Sequence, residues 1–402
     1  MKKSAKKSAS ILIILVMLLS FLNVFNVSAY DNNEISSVYL TDEKSINMFN
    51  KDEEIESYPD ISVINASDLS QINKTKLKAY IENGTYLLIQ NNNNCNSDYI
   101  SRKIEIKTLS KVEYSDAENI INLGYCVSVE STGNYLIKPI VGILLLQEGT
   151  EQEKENEITS FKSMKKPTIN PKEFYSEFLQ KRNNDSNKND TINDDNQNLG
   201  SLQLRISSAY VTNGGYGYLY GKNGNSSWGY QSGYTLFGYI EIAAYVIRET
   251  TINGYKYDAV ECGFTATGLG NKYVKSFTTQ NIVISNTQMV GYTYLNEQNQ
   301  YTYETSYSIS GDGPSTSYSI GATINPGNMT MTTQKTNNHV VWYCTPNSHL
   351  RNKTWYFEAG CLTSTANNKT ATVGIGFNEL IVDNLFYQYT SPGGIGFNIS
   401  YS

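Results

Sequence analysis

Side chains able to do acid–base or nucleophilic chemistry are few and scattered in this 402-residue chain. His339 and His349 are its two histidines. His339 follows Asn337-Asn338 at the start of a strand pattern, and His349 lies in the polar stretch 345–353. The five cysteines are Cys95, Cys126, Cys262, Cys344 and Cys361. Cys95 stands where a nucleophile would, but no His occurs in its half of the chain, and a thiol without a base is a weak nucleophile. H-E-x-x-H, G-x-S-x-G and zinc-spaced Cys/His groups do not occur, and no G-x-G-x-x-G follows a strand. Glu241, Glu261, Glu304 and Glu358 fall on strand patterns. They leave glycoside cleavage as the one hydrolytic chemistry open, and it needs two carboxylates within about 5–10 Å. No catalytic residue is assigned, and no metal or cofactor is expected.

Binding chemistry is better supplied. The run from Gly214 to Tyr234 reads GGYGYLYGKNGNSSWGYQSGY. Tyr216, Tyr218, Tyr220, Trp228, Tyr230 and Tyr234 would form an outward aromatic face, with the glycines letting the backbone turn tightly. Such rings stack on sugars, and the alternative is that they fill a core.

The stretch 301–324 carries a different chemistry. YTYETSYSIS and STSYSIGATI alternate strictly about Gly311-Asp312-Gly313-Pro314. Pairing the arms places Tyr301, Tyr303, Tyr307, Ile309, Tyr318, Ile320, Ala322 and Ile324 on one face. The other face pairs Ser308 with Ser317, Ser306 with Ser319, Glu304 with Gly321 and Thr302 with Thr323. An ordinary hairpin, one face buried and one wet, is the expectation, and Ile320→Asp should then prevent soluble folding. Arms of this length also match the ~9–11 residues of a membrane-crossing strand. In style the hairpin is similar to the Ser/Gly-rich hairpin of secreted leukocidin-type toxins, over residues 301–324 alone. That resemblance implies a latent membrane element.

The elements that must position these groups fall into two kinds. Ile61–Asn65, a helix capped by Asp68 and ending near Gly84, and Thr85–Gln90 read as a βαβ unit within a small α/β domain over 58–148. A weak helix is expected at 117–123, and strands at 125–130 and 135–147. Cys95 with Cys126 is a candidate disulfide, since five cysteines allow at most two bonds. Residues 149–200 read as a polar disordered linker with one short helix from Pro171, and Asn183 to Asn198 as its most cleavable part.

From 201 onward the pattern is all β. Asn253-Gly254 joins two strands, with Ile252 opposite Tyr255, Ile247 opposite Val260 and Tyr245 opposite Cys262. Gly-Ile-Gly-Phe-Asn occurs at 374–378 and again at 394–398, too short to define a repeat. The fold class expected is α+β multidomain: α/β domain, linker, then an all-β sandwich or elongated β-domain over 201–402.

Lys2, Lys3, Lys6 and Lys7 precede an apolar run and Val27-Ser28-Ala29, which reads as a secretory signal cleaved after Ala29 and followed by a flexible lead-in over 30–57. Its loss takes the net charge from −6 to −10, all of it on 30–200. That excludes a nucleic-acid partner, which wants a basic face. The expectation is a secreted, non-enzymatic protein whose Tyr-rich β-domain binds a cell-surface glycan or protein. The alternatives are a β-pore former, the one case with a membrane partner, and a secreted hydrolase.

Overall fold

β-branched and aromatic residues dominate the longest runs between turn signals, and those runs become strands. A computed structural model of the chain describes residues 39–40, 46–47, 49–50, 58–90, 95–115, 117–130, 132–179, 209–222, 233–294, 302–309, 316–324, 329–346, 354–384 and 386–402. The strands are β1 (Tyr39–Leu40), β2 (Ile61–Asn65), β3 (Tyr86–Gln90), β4 (Ser110–Tyr114), β5 (Ile120–Val129), β6 (Tyr135–Gln147), β7 (Val211–Lys222), β8 (Tyr234–Ile252), β9 (Tyr255–Gly268) and β10 (Tyr273–Ile284). They continue as β11 (Thr287–Tyr292), β12 (Thr302–Ile309), β13 (Thr316–Ile324), β14 (Met329–Thr336), β15 (His339–Pro346), β16 (Thr354–Ala366), β17 (Ala371–Asp383), β18 (Gln388–Thr390) and β19 (Ile395–Tyr401). A 3-10 helix, Ala66–Ser70, follows β2, and the α-helices with described bounds are α1 (Lys74–Glu82), α2 (Ser97–Ile104), α3 (Glu151–Ser163) and α4 (Pro171–Phe174), the last running on as a π-helical turn, Tyr175–Leu179.

One layer runs β1-β2-β3-β5-β6-β7-β8-β9-β16, with parallel pairs at β1/β2, β2/β3 and β6/β7. β16 gives its other edge to β11 near its end and to β13 near its start, and β12 lies beyond β13. The second layer runs β4-β19-β17-β10-β15-β14. β18 pairs with both β17 and β6, so the layers join into one curled, mixed sheet. The main core lies between the layers, where Trp342, Trp355, Phe264, Phe277, Phe357 and Phe377 are fully buried or nearly so.

This corrects the expected fold class. The chain is predominantly β, and its strands do not divide into an α/β unit and a separate sandwich. β6 is the reason: it is apolar on both faces, so both faces need cover and both edges need neighbours. β5 takes one edge and β7 the other, with Ile140 beside Tyr216 and Leu144 beside Tyr220. β4 likewise pairs with the C-terminal strand, Val112 opposite Ile399.

Local readings shift with it. Asn73, not Asp68, caps α1, its side chain accepting from the Lys76 backbone N–H at 3.2 Å. The expected helix at 117–123 is a turn leading into β5. The first part of the expected linker folds as α3, because Thr150 and Glu153 form a reciprocal capping box. Asn183–Asn198, the signal segment and the lead-in up to Val38 lie outside the described residues.

Asn253 and Gly254 form the turn between β8 and β9, at φ 50° and 81°. Ile252 faces Tyr255, but beyond a bulge between Arg248 and Thr250 the register moves by one, so Ile247 faces Ala259 and Tyr245 faces Glu261. The repeated pentapeptide has a structural use. Its two copies are antiparallel neighbours on β17 and β19, Gly374 opposite Asn398 and Gly376 opposite Gly396.

Candidate functional site

β7 alternates glycine with tyrosine, and alternation sends the two sets to opposite faces. Gly217 faces the core between the layers, where a Cβ would lie 2.6 Å from both Ile143 Cδ1 and Ile240 Cγ1. Close strand packing, rather than a turn, is what this glycine serves. Tyr216, Tyr218 and Tyr220 face the other way and meet the helical segment 151–179.

That segment covers them with phenylalanines. Phe174 and Phe178 lie 5.0 and 4.9 Å from the Tyr216 ring, and Phe178 lies 5.7 Å from Tyr218 and 5.5 Å from Tyr239. Phe161 lies 5.1 Å from Tyr234 and 6.0 Å from Tyr220. Most of these pairs are edge-on or tilted, a geometry worth about 0.5–1.5 kcal/mol each beyond area burial. Tyr216 and Tyr218 are only 2% and 4% exposed, so they do not form an open aromatic face. Tyr220 and Tyr234 are half-buried, and Trp228 and Tyr230 lie outside the described residues.

A cavity of about 140 Å³ remains between this tyrosine wall and the connection from α3 to α4. Pro167, Asn170 and Glu173 line one side; Tyr218, Tyr220 and Leu236 line the other. Tyr239 donates to Glu173 Oε1 at 2.7 Å, which holds the carboxylate at the rim. Burial pushes the Tyr220 hydroxyl up to about 12 and raises that of Tyr218 well above its ordinary value, with Glu173 adding to both.

The thiol and imidazole candidates are not brought together. Burial pushes the Cys95 thiol up to about 11, away from nucleophile character. Cys95 and Cys126 lie in different core clusters on the two faces of the sheet, and the disulfide weighed between them is not present. His339 Nε2 sits 2.8 Å from Gln280 Oε1, and His349 lies outside the described residues. Glu261 faces Gly360 and Glu358 faces Gly263 across one strand pair, which sets these two carboxylates on one face as diagonal neighbours, and both are fully buried. Among the described residues no group of three or more His, Cys, Asp or Glu is placed to hold a metal ion.

The hairpin is the remaining site. β12 and β13 pair in the register set by their alternation: Tyr307 faces Tyr318, Thr305 faces Ile320, and Glu304 faces Gly321. Tyr303, Tyr307, Ile309, Tyr318, Ile320 and Ile324 therefore share one face by register. Tyr301 lies outside the described residues, as do the hairpin's side chains. Among the described residues, the hairpin's pairing with other strands is confined to its root, Thr323 opposite Glu358 and Ile324 opposite Phe357.

No protein-family model matches this chain. No curated protein matches it either. Among solved structures it is similar to a chain described as "Pore forming protein", with a TM-score of 0.27 and 8% identity over 47% of this chain and 89% of that one. That score lies below the level of a shared fold. Among the described residues no helix is long and apolar enough to cross a membrane, which says nothing of strands.

Proposed function

We propose that this chain is a β-pore-forming protein whose membrane element is the β12–β13 hairpin. One observation carries the reading: among the described residues, a two-faced hairpin of near-membrane length is paired to the rest of the sheet through two residues at its root. Little backbone pairing has to break for it to swing away. β12 is then an unpaired edge, and an edge strand in a bilayer must find partners, because every backbone N–H and C=O there needs one. Hairpins from several copies satisfy that need by closing into a barrel. The Tyr/Ile face meets lipid and the Ser/Thr face lines water, with one Glu304 per copy forming a ring of negative charge.

The test is dye release from phospholipid vesicles together with conductance in planar bilayers. The secreted chain should give stepwise, lasting conductance. Ile320→Arg should keep a normal melting curve and lose release, since a cation near the bilayer midplane costs about 2–4 kcal/mol per copy. An Ile320→Arg protein that does not fold would instead mean the face is packed as in an ordinary sandwich.

A further inference from the structure

We propose that the cavity between the β7 tyrosines and the 167–173 connection is a binding site for a single unsubstituted hexose ring. Tyr218 carries the argument. Its ring is 4% exposed, it lines the cavity, and its hydroxyl has no hydrogen-bond partner among the described residues. A buried hydroxyl left unsatisfied is costly, and a guest in the cavity that bonds it removes that cost.

The other walls narrow the guest. Glu173 is an acceptor fixed by the Tyr239 hydroxyl, and Asn170 stands beside it with an amide. The Asn170 oxygen is engaged by the backbone N–H groups of Lys172 and Glu173. A carboxylate next to a tyrosine hydroxyl suits neighbouring hydroxyls that both donate and accept. No Lys, Arg or His lines the cavity among the described residues, so a phosphate or carboxylate ligand would meet Glu173 uncompensated. The cationic head of a quaternary ammonium has no group to bond the Tyr218 hydroxyl. The volume bounds the guest at one ring: a cavity of about 150 Å³ takes benzene, and a hexose, being larger, would leave part of its hydroxyls at the mouth. Leu236 supplies an apolar patch for the ring's carbon face.

The site does not depend on the pore reading and is tested without membranes. Saturation-transfer NMR on the full secreted chain would use glucose, galactose and mannose as probes, with tetramethylammonium and methyl phosphate as controls. At least one hexose should give a saturable signal, and neither control should. Tyr218→Phe keeps the ring and should weaken that hexose at least tenfold with an unchanged melting curve. Glu173→Gln should weaken it similarly, and it decides the matter if Tyr218→Phe does not fold. Tyr255→Phe, at an exposed tyrosine, should change nothing. The proposal is overturned if no hexose binds saturably, so that the cavity holds solvent alone. It is also overturned if tetramethylammonium or methyl phosphate binds better, or if Tyr218→Phe, or Glu173→Gln where Tyr218→Phe does not fold, binds as the parent does.

Discussion

Asp258 is fully buried on β9, and its ion-pair partner is the Arg248 guanidinium on β8. Arg248 also donates to the Tyr210 hydroxyl at 2.7 Å and stacks over that ring at 4.7 Å. Burial raises the Asp258 carboxyl and Arg248 pulls it back, with burial winning. Arg248→Met strands the carboxylate. It should cost about 3 kcal/mol at neutral pH, the low end for breaking a buried pair because Arg248 is partly exposed. A folded-state value above the unfolded one means that Asp258 favours folding at low pH and loses that contribution as pH rises through the folded value. The Arg248→Met deficit should therefore shrink in mildly acid urea titrations. A deficit that grows on acidification would place the charge elsewhere. Gly254, at φ 81°, admits a simpler test: Gly254→Val should cost about 1–2 kcal/mol by denaturant midpoint, because a β-branched residue is strained there.

At the scale of elements, the helical segment 151–179 clamps the tyrosine wall through few contacts. Phe178 touches Tyr216, Tyr218 and Tyr239 at once. Phe178→Ala should cost about 3–5 kcal/mol by thermal or urea melts, and a loss below about 1 kcal/mol would show the segment to be loosely held. The hairpin makes its own prediction. Glu304→Lys reverses the sign of the proposed lumen ring, so the reversal potential in asymmetric salt should change from cation- to anion-selective. These two elements were unequally legible. Alternation around 311–314 fixed the hairpin's register, because a one-residue slip would mix its faces. Alternation also separated Gly217 from Tyr216 and Tyr218, but it does not say which face is covered. The cover comes from Phe161, Phe174 and Phe178, spread through a charged stretch whose composition reads as linker. The bulge beyond Arg248 left no mark in the apolar pattern, so the register was readable only up to it.

At the scale of the whole molecule, sheet continuity was the least legible feature, since β4 finds β19 and β6 finds β18 across more than two hundred residues, and β6 finds β7 across the whole expected linker. Mixed pairing over such separations also implies slow folding. It gives the cleavage prediction a new form. Proteolysis within Asn183–Asn198 should nick the chain, and the halves should stay together through the β6/β7 and β4/β19 ladders. They should elute as one particle in gel filtration, and separate fragments would mean the ladders do not hold. The pore reading itself is tested most directly by labelling single cysteines along 302–309 with an environment-sensitive fluorophore and adding vesicles. Labels at Tyr303, Thr305, Tyr307 and Ile309 should shift to shorter wavelength and be quenched by lipid-borne quencher, while those at Thr302, Glu304, Ser306 and Ser308 stay in water. Emission without that two-residue alternation, or unchanged by vesicles, would contradict a membrane-crossing hairpin.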